Sequence, residues 1–401
     1  MRILHTSDWH LGQNFMGKSR EEEHQAFFVW LLDTIQSNNI TILIVAGDIF
    51  DTTTPPNYAL ELYYNFLKQL STIEQLTIII VAGNHDSVAT LKTSKQLLEE
   101  LNIYVVITGS REENQLIPIY SNNKLQSVIC AVPFLRDTIL REVVLGEGID
   151  EQDGLINLAI RKHYENIYQK ALELIKNKGL NHKDIPIIAT GHLTTVGARR
   201  SESERDIYIG GMLDIGSDFF SKYFDYVALG HLHKNQKVGR ESVCYSGSPI
   251  PLSFSEAESI KKVNIVEFLV KTIKVTTLEI PTYRPLLLLK GKVEEIVEEL
   301  KTIKNQQTWI EVQLNNDDNP FASNQTIRDI AKKLNLTLLA VKIDKSEKSL
   351  KSKDMKIISL DELGVNEVFE KRLEMENLES DSLKKEILHT FKSVVYEVEN
   401  R

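Results

Sequence analysis

The sequence predicts an α/β protein built of layered sheets with helices outside, and three observations carry that expectation. Short apolar, β-rich runs recur through residues 1–270: RILHT, TILIVAGD, TIIIVAGN, IYVVITG, SVICAVP, PIIATGH, YVALGH and ESVCYSGS. Their hydrophobicity is continuous rather than alternating, the pattern of strands covered on both faces. Between them lie segments whose apolar residues follow the helical period.

Residues 21–37 place Phe27, Trp30, Leu31 and Ile35 at helical spacing behind an acidic first turn, which suits the positive end of a helix. Residues 57–70 repeat the pattern with Tyr58, Leu62, Phe66 and Leu70 after TPP, a good helix start. VATLKTSKQLLEEL reads as a helix capped by Asp86 with Ser87. A further helix covers about 155–177 and stops at NKGL. These elements make a first domain over 1–275.

The composition then changes. RPLLLLKGKVEEIVEELKTI, WIEVQL and IRDIAKKLNLTLLAVKI read as strand, helix, strand, helix, strand, a small α+β domain over 280–345. A lysine-rich linker follows over 346–358. Residues 359–401 read as two amphipathic helices too small to bury themselves, so they must dock on this chain or on a partner.

At 401 residues the chain exceeds one ordinary core, and 42% hydrophobic with 26% charged is globular composition. No window reaches the roughly 18–20 apolar residues of a membrane span. MRILHTSDWHLG lacks the form of a secretory leader. Cys130 and Cys244 form no C-x-x-C pair and read as buried thiols in a reducing cytoplasm. A net charge of −9 argues against a surface coated in positive charge, so any DNA binding rests on local patches or on a partner.

Polar clusters end the strands: SDWHLG with Asp8 and His10, GDIFD with Asp48 and Asp51, GNHD with Asn84, His85 and Asp86, GH with His192, and GHLH with His231 and His233. Ligands of open α/β sheets bind beyond the carboxyl ends of strands, so the clusters should converge. Asp8 and His10, like His231 and His233, are two residues apart and in extended chain project to one side. Gly47, Gly83, Gly191 and Gly230 precede polar residues and let the backbone turn and approach an ion. A lone D-x-H or H-x-H would carry little weight, and GD or GNHD alone is turn chemistry. Five such clusters ending five apolar strands point instead to metal. Carboxylates, imidazoles and one amide suit manganese, iron or zinc. Two carboxylates, four histidines and an asparagine fill two sites if one carboxylate bridges, and Asp48, from the middle cluster, is the natural bridge. Two divalent ions against Asp8 and Asp48 leave a positive surplus, the arrangement for in-line attack on phosphorus. His5 reads as a satisfied strand histidine, and His24, His163, His182 and His389 as surface residues.

The series D-x-H, GD-x-x-D, GNHD, GH, GH-x-H resembles the calcineurin-like metallophosphoesterase superfamily over about residues 1–270. MRILHTSDWHLGQNF, SREEEHQAFFVWLL, VAGDIFDTTTPPNYA, VAGNHDS and YSGSPIPLSFSE resemble its bacterial DNA-end-processing nuclease branch, over essentially the whole chain. Thr52 after Asp51, and Asp86 closing the third motif, fit the phosphatase branch less well. The resemblance implies a β-sandwich flanked by helices, with the small domain as a cap that presents DNA. It implies that Asp8, His10, Asp48 and His233 hold one metal and Asn84, His192 and His231 complete the second, with Asp48 bridging. His85 would be the catalytic histidine and Asp51 would orient it. The metals would be two Mn2+, with Mg2+ as the alternative. The implied partners are double-stranded DNA ends and hairpins, a second copy of the chain joined through helices of the first domain, and an ABC-type ATPase with a long coiled coil that receives the C-terminal helices. No G-x-x-x-x-G-K-[ST] occurs here, so ATP chemistry belongs to that partner. For phosphate contacts the candidates are Lys18 and Arg20 after the first motif, and Arg199, Arg200 and Arg205 after His192. A phosphodiesterase of small nucleotides or phosphoproteins leaves the extra domain and tail without a purpose. A scaffold with a decayed site would be expected to have lost ligands.

Overall fold

The structure, a computed structural model, describes residues 1–110, 112–136, 139–140, 152–199, 204, 215–269, 272–315, 320–344 and 390–391. It begins with β1 (Arg2–Thr6), the hairpin of β2 (Asn14–Phe15) and β3 (Lys18–Ser19), α1 (Glu21–Ser37), β4 (Ile42–Ala46), α2 (Asn57–Leu70) and β5 (Thr77–Val81). The short helices α3 (Val88–Lys92) and α4 (Lys95–Glu99) lead to β6 (Ile103–Val106). There follow β7 (Leu116–Ser121), β8 (Lys124–Cys130), α5 (Gln152–Asn177), β9 (Ile187–His192), α6 (Ser217–Tyr223) and β10 (Tyr226–Gly230). Next come β11 (Gln236–Val238), β12 (Arg240–Tyr245), β13 (Lys262–Phe268) and β14 (Ile273–Glu279). A smaller part holds β15 (Leu286–Gly291), α7 (Val293–Thr302), β16 (Trp309–Asn315), α8 (Pro320–Lys333) and β17 (Thr337–Asp344).

Continuous hydrophobicity corresponds to burial on both faces: β4, β9 and β10 are buried at every position. One sheet runs β14-β13-β1-β4-β5-β6 and the other β11-β12-β10-β9-β8-β7. Their facing sides share one core in which Ile44, Ile79 and Val81 meet Ile129, Ile188 and Ala228. The outer face of the first sheet packs Val45, Ile78 and Ile80 against Phe27, Leu31 and Phe66 of α1 and α2. The outer face of the second packs Val128, Ala189 and Val227 against Ile160, Tyr164 and Ile167 of α5. The result is helix, sheet, sheet, helix, the sandwich that the motifs implied. The third sheet, β15-β16-β17, buries its own core with α7 and α8.

Several expectations need correction. VATLKTSKQLLEEL is two helices, not one, separated around Ser94, whose hydroxyl lies 3.1 Å from that of Tyr64. Ser87 caps the first of them, its Oγ accepting from Thr90 N at 3.4 Å, while Asp86 caps nothing. The first sheet's edge strand β14 runs to Glu279, past the boundary expected at 275. His24 and His163 are buried rather than exposed: His24 Nε2 donates to Trp9 O at 2.8 Å, and His163 Nε2 lies 2.9 Å from Gln115 Oε1. His5 is buried between Tyr226 Oη at 2.9 Å and Leu229 O at 3.1 Å. Burial pushes the imidazoles of His5 and His24 down to about 3, with the charge of Arg20 adding to the effect on His24. Both are neutral structural groups. His182 is exposed, and His389 lies outside the described residues.

The chain separates into units Met1–Ile343 and Asp344–Arg401. The expected linker and C-terminal helices lie outside the described residues, apart from two positions. Among the described residues no helix is long and apolar enough to cross a membrane.

Candidate metal centre

Parallel pairing sets the carboxyl ends of β1, β4 and β5 side by side in one sheet, and those of β9 and β10 in the other. The β1–β4 ladder continues past the strands: Asp8 N donates to Gly47 O at 3.0 Å, His10 N to Asp48 O at 3.1 Å and Leu11 N to Ile49 O at 2.9 Å. This lattice holds an unusual backbone. Asp8, His10 and Asp48 have φ of 52°, 47° and 48°, and His231 has 93°. Left-handed conformations at residues with a Cβ cost roughly 1–3 kcal/mol each and persist only where surrounding structure imposes them. Asp8 and His10 therefore share a side through paired left-handed residues, not extended chain. Trp9 between them turns into the core, fully buried against Phe27, Phe28 and Phe66, with Nε1 donating to Thr6 Oγ1 at 3.1 Å.

The glycines act differently from expectation. Of Gly47, Gly83, Gly191 and Gly230, Gly47 alone, at φ 92°, uses a conformation that favours glycine. Gly83 is needed for space: a Cβ there would lie 2.1 Å from Asp48 Oδ1.

The seven candidate ligands converge. Asp48 Oδ2 lies 3.2 Å from His192 Nε2 and 3.6 Å from His10 Nε2, so this carboxylate stands between two histidines from different sheets. His192 Nε2 is also 3.0 Å from Asn84 Oδ1. The ring of His233 stands edge-on to that of His10 at 5.2 Å, and His231 to His192 at 5.4 Å. The H-x-H pair thus splits between two groups instead of addressing one. Donor atoms of Asp8, His10 and His233 fit within 4.8 Å of one another, as do those of Asp8, Asp48 and His192.

The second nitrogens of three of these histidines are already engaged. His192 Nδ1 donates to Ala46 O at 3.0 Å, His10 Nδ1 to Asp51 Oδ1 at 3.1 Å, and His233 Nδ1 faces Glu256 Oε1 at 3.4 Å. Such outer contacts fix the tautomer and leave Nε2 for a cation. His10 Nε2 fits that role: it is buried and has no hydrogen-bond partner. Burial opposes charge on His10 and His192, yet the carboxylates outweigh it. The Asp51 hydrogen bond with the charges of Asp48, Asp51 and Asp8 pushes His10 up to about 9, and Asp48 with Asp8 does the same for His192. Burial likewise opposes charge on Asp48, but His192, His10 and His85 hold it well below the usual carboxylate range. Anionic oxygens beside imidazole nitrogens, with no thiolate, fit hard or borderline divalent cations.

Residues 1–235 match the calcineurin-like phosphoesterase family. The chain belongs to that family. Residues 282–377 match the type 5 capsule protein repressor C-terminal domain. SbcD, a subunit of nuclease SbcCD, from Escherichia coli (strain K12) is 39% identical over 404 residues, covering 99% of this chain and 98% of that protein. SbcD of Bacillus subtilis (strain 168) is 32% identical over 326 residues, covering 78% of this chain and 79% of that one. SbcD of Rhodobacter capsulatus is 36% identical over 265 residues, covering 64% of each chain.

In this calcineurin-like phosphoesterase the pairing of His85 with Asp51 takes an unexpected form. His85 Nδ1 donates to the main-chain carbonyl of Asp51 at 2.7 Å, whereas the Asp51 carboxylate belongs to His10. Asp51→Asn is therefore expected to weaken divalent-cation binding about 10–100-fold, as loss of a contact behind a ligand does. Calorimetric titration with manganese checks this. Unchanged affinity with lost turnover would return the carboxylate to His85. Asp86, expected as a helix cap, instead ties two loops together. Its buried carboxylate accepts from Gly83 N at 2.8 Å, Phe50 N at 3.0 Å and Ile49 N at 3.2 Å.

Sequence reasoning missed Glu256, Lys261 and Ser7. Glu256 is buried behind His233 and paired with buried Lys261; Lys261 Nζ also donates to His233 O at 3.2 Å. Ser7 Oγ donates to Asp8 Oδ2 and lies 2.7 Å from Ser246 Oγ. For Ser7 and Glu256 the one signal was position, within the SDWH and PLSFSE stretches. Of the phosphate candidates, Arg20 is overturned. It is fully buried, donates to both Glu23 oxygens at 2.6 and 2.7 Å, and lies over the rings of Phe15 and Trp309. It links the β15-β16-β17 sheet, through Trp309, to the sandwich. Lys18 and Arg199 are exposed, and Arg200 and Arg205 lie outside the described residues.

Proposed function

We propose that this chain is the nuclease subunit of an SbcCD-type DNA end-processing complex. In this reading it is a metal-dependent hydrolase of phosphodiesters that acts as an exonuclease on double-stranded ends and as an endonuclease on hairpins and single strands. It would serve DNA repair, recombination and replication in the cytoplasm, at the nucleoid. The observation that carries the reading is Asp48 standing between His10 and His192, with Asn84, His231, His233 and Asp8 gathered around them. Asp8, His10, Asp48 and His233 would hold one ion, and Asn84, His192 and His231 the other, with Asp48 shared. Two Mn2+ suit this donor set, with Mg2+ as the alternative. Bound divalent ions supply charge neutralisation at phosphorus and an acidified water. The chain's own residues do the rest. Asp8 and Asp48 fix the net charge, Asn84 adds a ligand without adding repulsion, and His85 stands ready with a proton for the leaving oxygen. A carbonyl can only accept, so His85 Nδ1 carries its proton toward Asp51 O, and in the imidazolium form the second proton, on Nε2, would be the one passed to the leaving oxygen.

End-to-end similarity to a protein named as one subunit of a larger nuclease, together with the lack of a G-x-x-x-x-G-K-[ST] phosphate loop in this sequence, supports an SbcC-type ABC ATPase with a coiled coil as partner. A homodimer is supported by an apolar groove of about 490 Å³ between α1 and α2, where Val29 is 67% exposed beside Leu32 and Leu62.

The test is to assay the chain with and without the partner ATPase. Manganese-dependent cleavage of a labelled hairpin duplex is measured beside hydrolysis of a small phosphodiester and a phosphopeptide. DNA cleavage is expected to dominate; robust phosphopeptide turnover without DNA cleavage overturns the reading.

A further inference from the structure

The segment after β8 runs along the outside of the loop that carries Asn84 and His85. Phe134 N donates to Ala82 O at 2.8 Å, and Arg136 Nη2 donates to Asp86 O at 2.9 Å. These two bonds bracket Gly83, Asn84 and His85. β8 neighbours β9, and the ring of Phe134 stands edge-on to that of His192 at 6.4 Å, so the segment borders both motifs at the same end of the sandwich. Arg136 is half-buried, and among the described residues it has no carboxylate partner. The carboxylate of Asp86 itself cannot serve, because it is taken up by three main-chain amides.

A half-buried guanidinium with no carboxylate partner among the described residues, bonded to the residue that follows the candidate proton donor, asks for an anionic ligand. With one Nη committed to a carbonyl, the rest of the fork remains for planar, two-pronged recognition of phosphate oxygens. We propose that Arg136 binds a backbone phosphate of the substrate strand next to the phosphodiester being hydrolysed. This rests on the nuclease reading above. It assigns to Arg136 the contact that distinguishes a polynucleotide from a single phosphodiester.

The test uses the full chain and two variants, Arg136→Gln and Arg136→Lys. Binding of a labelled hairpin duplex is followed by fluorescence anisotropy from low to moderate salt, on a His85→Gln background that suppresses turnover. Arg136→Gln is expected to weaken binding roughly ten- to hundredfold, the loss of one charge-assisted contact. The salt dependence should shrink by about one unit of log–log slope. Arg136→Lys should keep that slope and recover part of the affinity. In steady state on the His85 chain, kcat/KM for the duplex is expected to fall about tenfold more than that for bis(p-nitrophenyl) phosphate, mainly through KM. Equal falls on both substrates, or loss of bound manganese, would make Arg136 a pin for the loop and overturn the proposal. So would an unchanged affinity and slope. A chain that binds the duplex in this way but never cleaves it sinks the nuclease reading and leaves the arginine contact standing.

Discussion

His85→Gln is expected to lower DNA cleavage by about 10²–10⁴-fold while two manganese ions stay bound. The leaving oxygen of a phosphodiester is a poor leaving group at neutral pH, and an imidazole within reach can protonate it or offset its charge. The surroundings of His85 suit that task. Its main-chain N donates to Asp48 Oδ1 at 3.0 Å, its Nδ1 is held by Asp51 O, and its ring stands edge-on to that of His10 at 5.0 Å. Glutamine preserves polarity and approximate size but has no proton to give. A competing arrangement is written into the same geometry, since donor atoms of His10, Asp51 and His85 also fit within 4.8 Å of one another. Single-turnover cleavage of a labelled hairpin, with metal counted by mass spectrometry, separates the two. If an ion departs with the side chain, His85 is a ligand and its assignment as proton donor fails.

The second large effect is Asp48→Asn, which should abolish measurable cleavage and weaken both metal sites. A contact behind a ligand costs roughly 10–100-fold in affinity, and a carboxylate shared by two ions should cost more than that at each. Asparagine fits the same space and can still accept from His85 N, so the loop itself should survive. The decisive measurement is the melting temperature with and without manganese. A ligand that binds only the folded state raises stability by RT ln(1 + L/Kd), L being its free concentration, so the unaltered chain should gain and the variant should not. Retention of one site at full affinity would show that Asp48 is not shared.

Much of this site was legible in the chain. Asp8, His10, Asp48, Asn84, His192, His231 and His233 stand where a polar cluster ends an apolar strand, and parallel sheets bring such ends together. α1 and α2 begin and end where their apolar spacing indicates, because that spacing is set by the core each helix covers. Other readings failed for one recurrent reason: a local pattern states what a side chain could do, not which neighbour claims it. Arg20 follows the first motif as a phosphate ligand would, yet Glu23, Phe15 and Trp309 enclose it. Asp86 precedes a helix as a cap would, yet the amides of Ile49 and Phe50, from a loop more than thirty residues away, hold its carboxylate. His24 and His163 looked like surface histidines because nothing nearby in sequence announces the groups that bury them.

What the sequence by itself determined is the kind of protein this is: layered α/β sheets with side chains that suit divalent ions at the strand ends, the two-sheet sandwich being what its family resemblance implied. Hydrophobic period and residue chemistry are local properties, and a strand carries them wherever it lies. Only the tertiary structure decided the pairings. It assigned the Asp51 carboxylate to His10 and its carbonyl to His85, parted His231 from His233, and set Glu256 behind His233 and Arg136 beside another motif. Those contacts join residues from strands far apart in the chain, and at a distance of about 3 Å the order in which loops meet selects the partner.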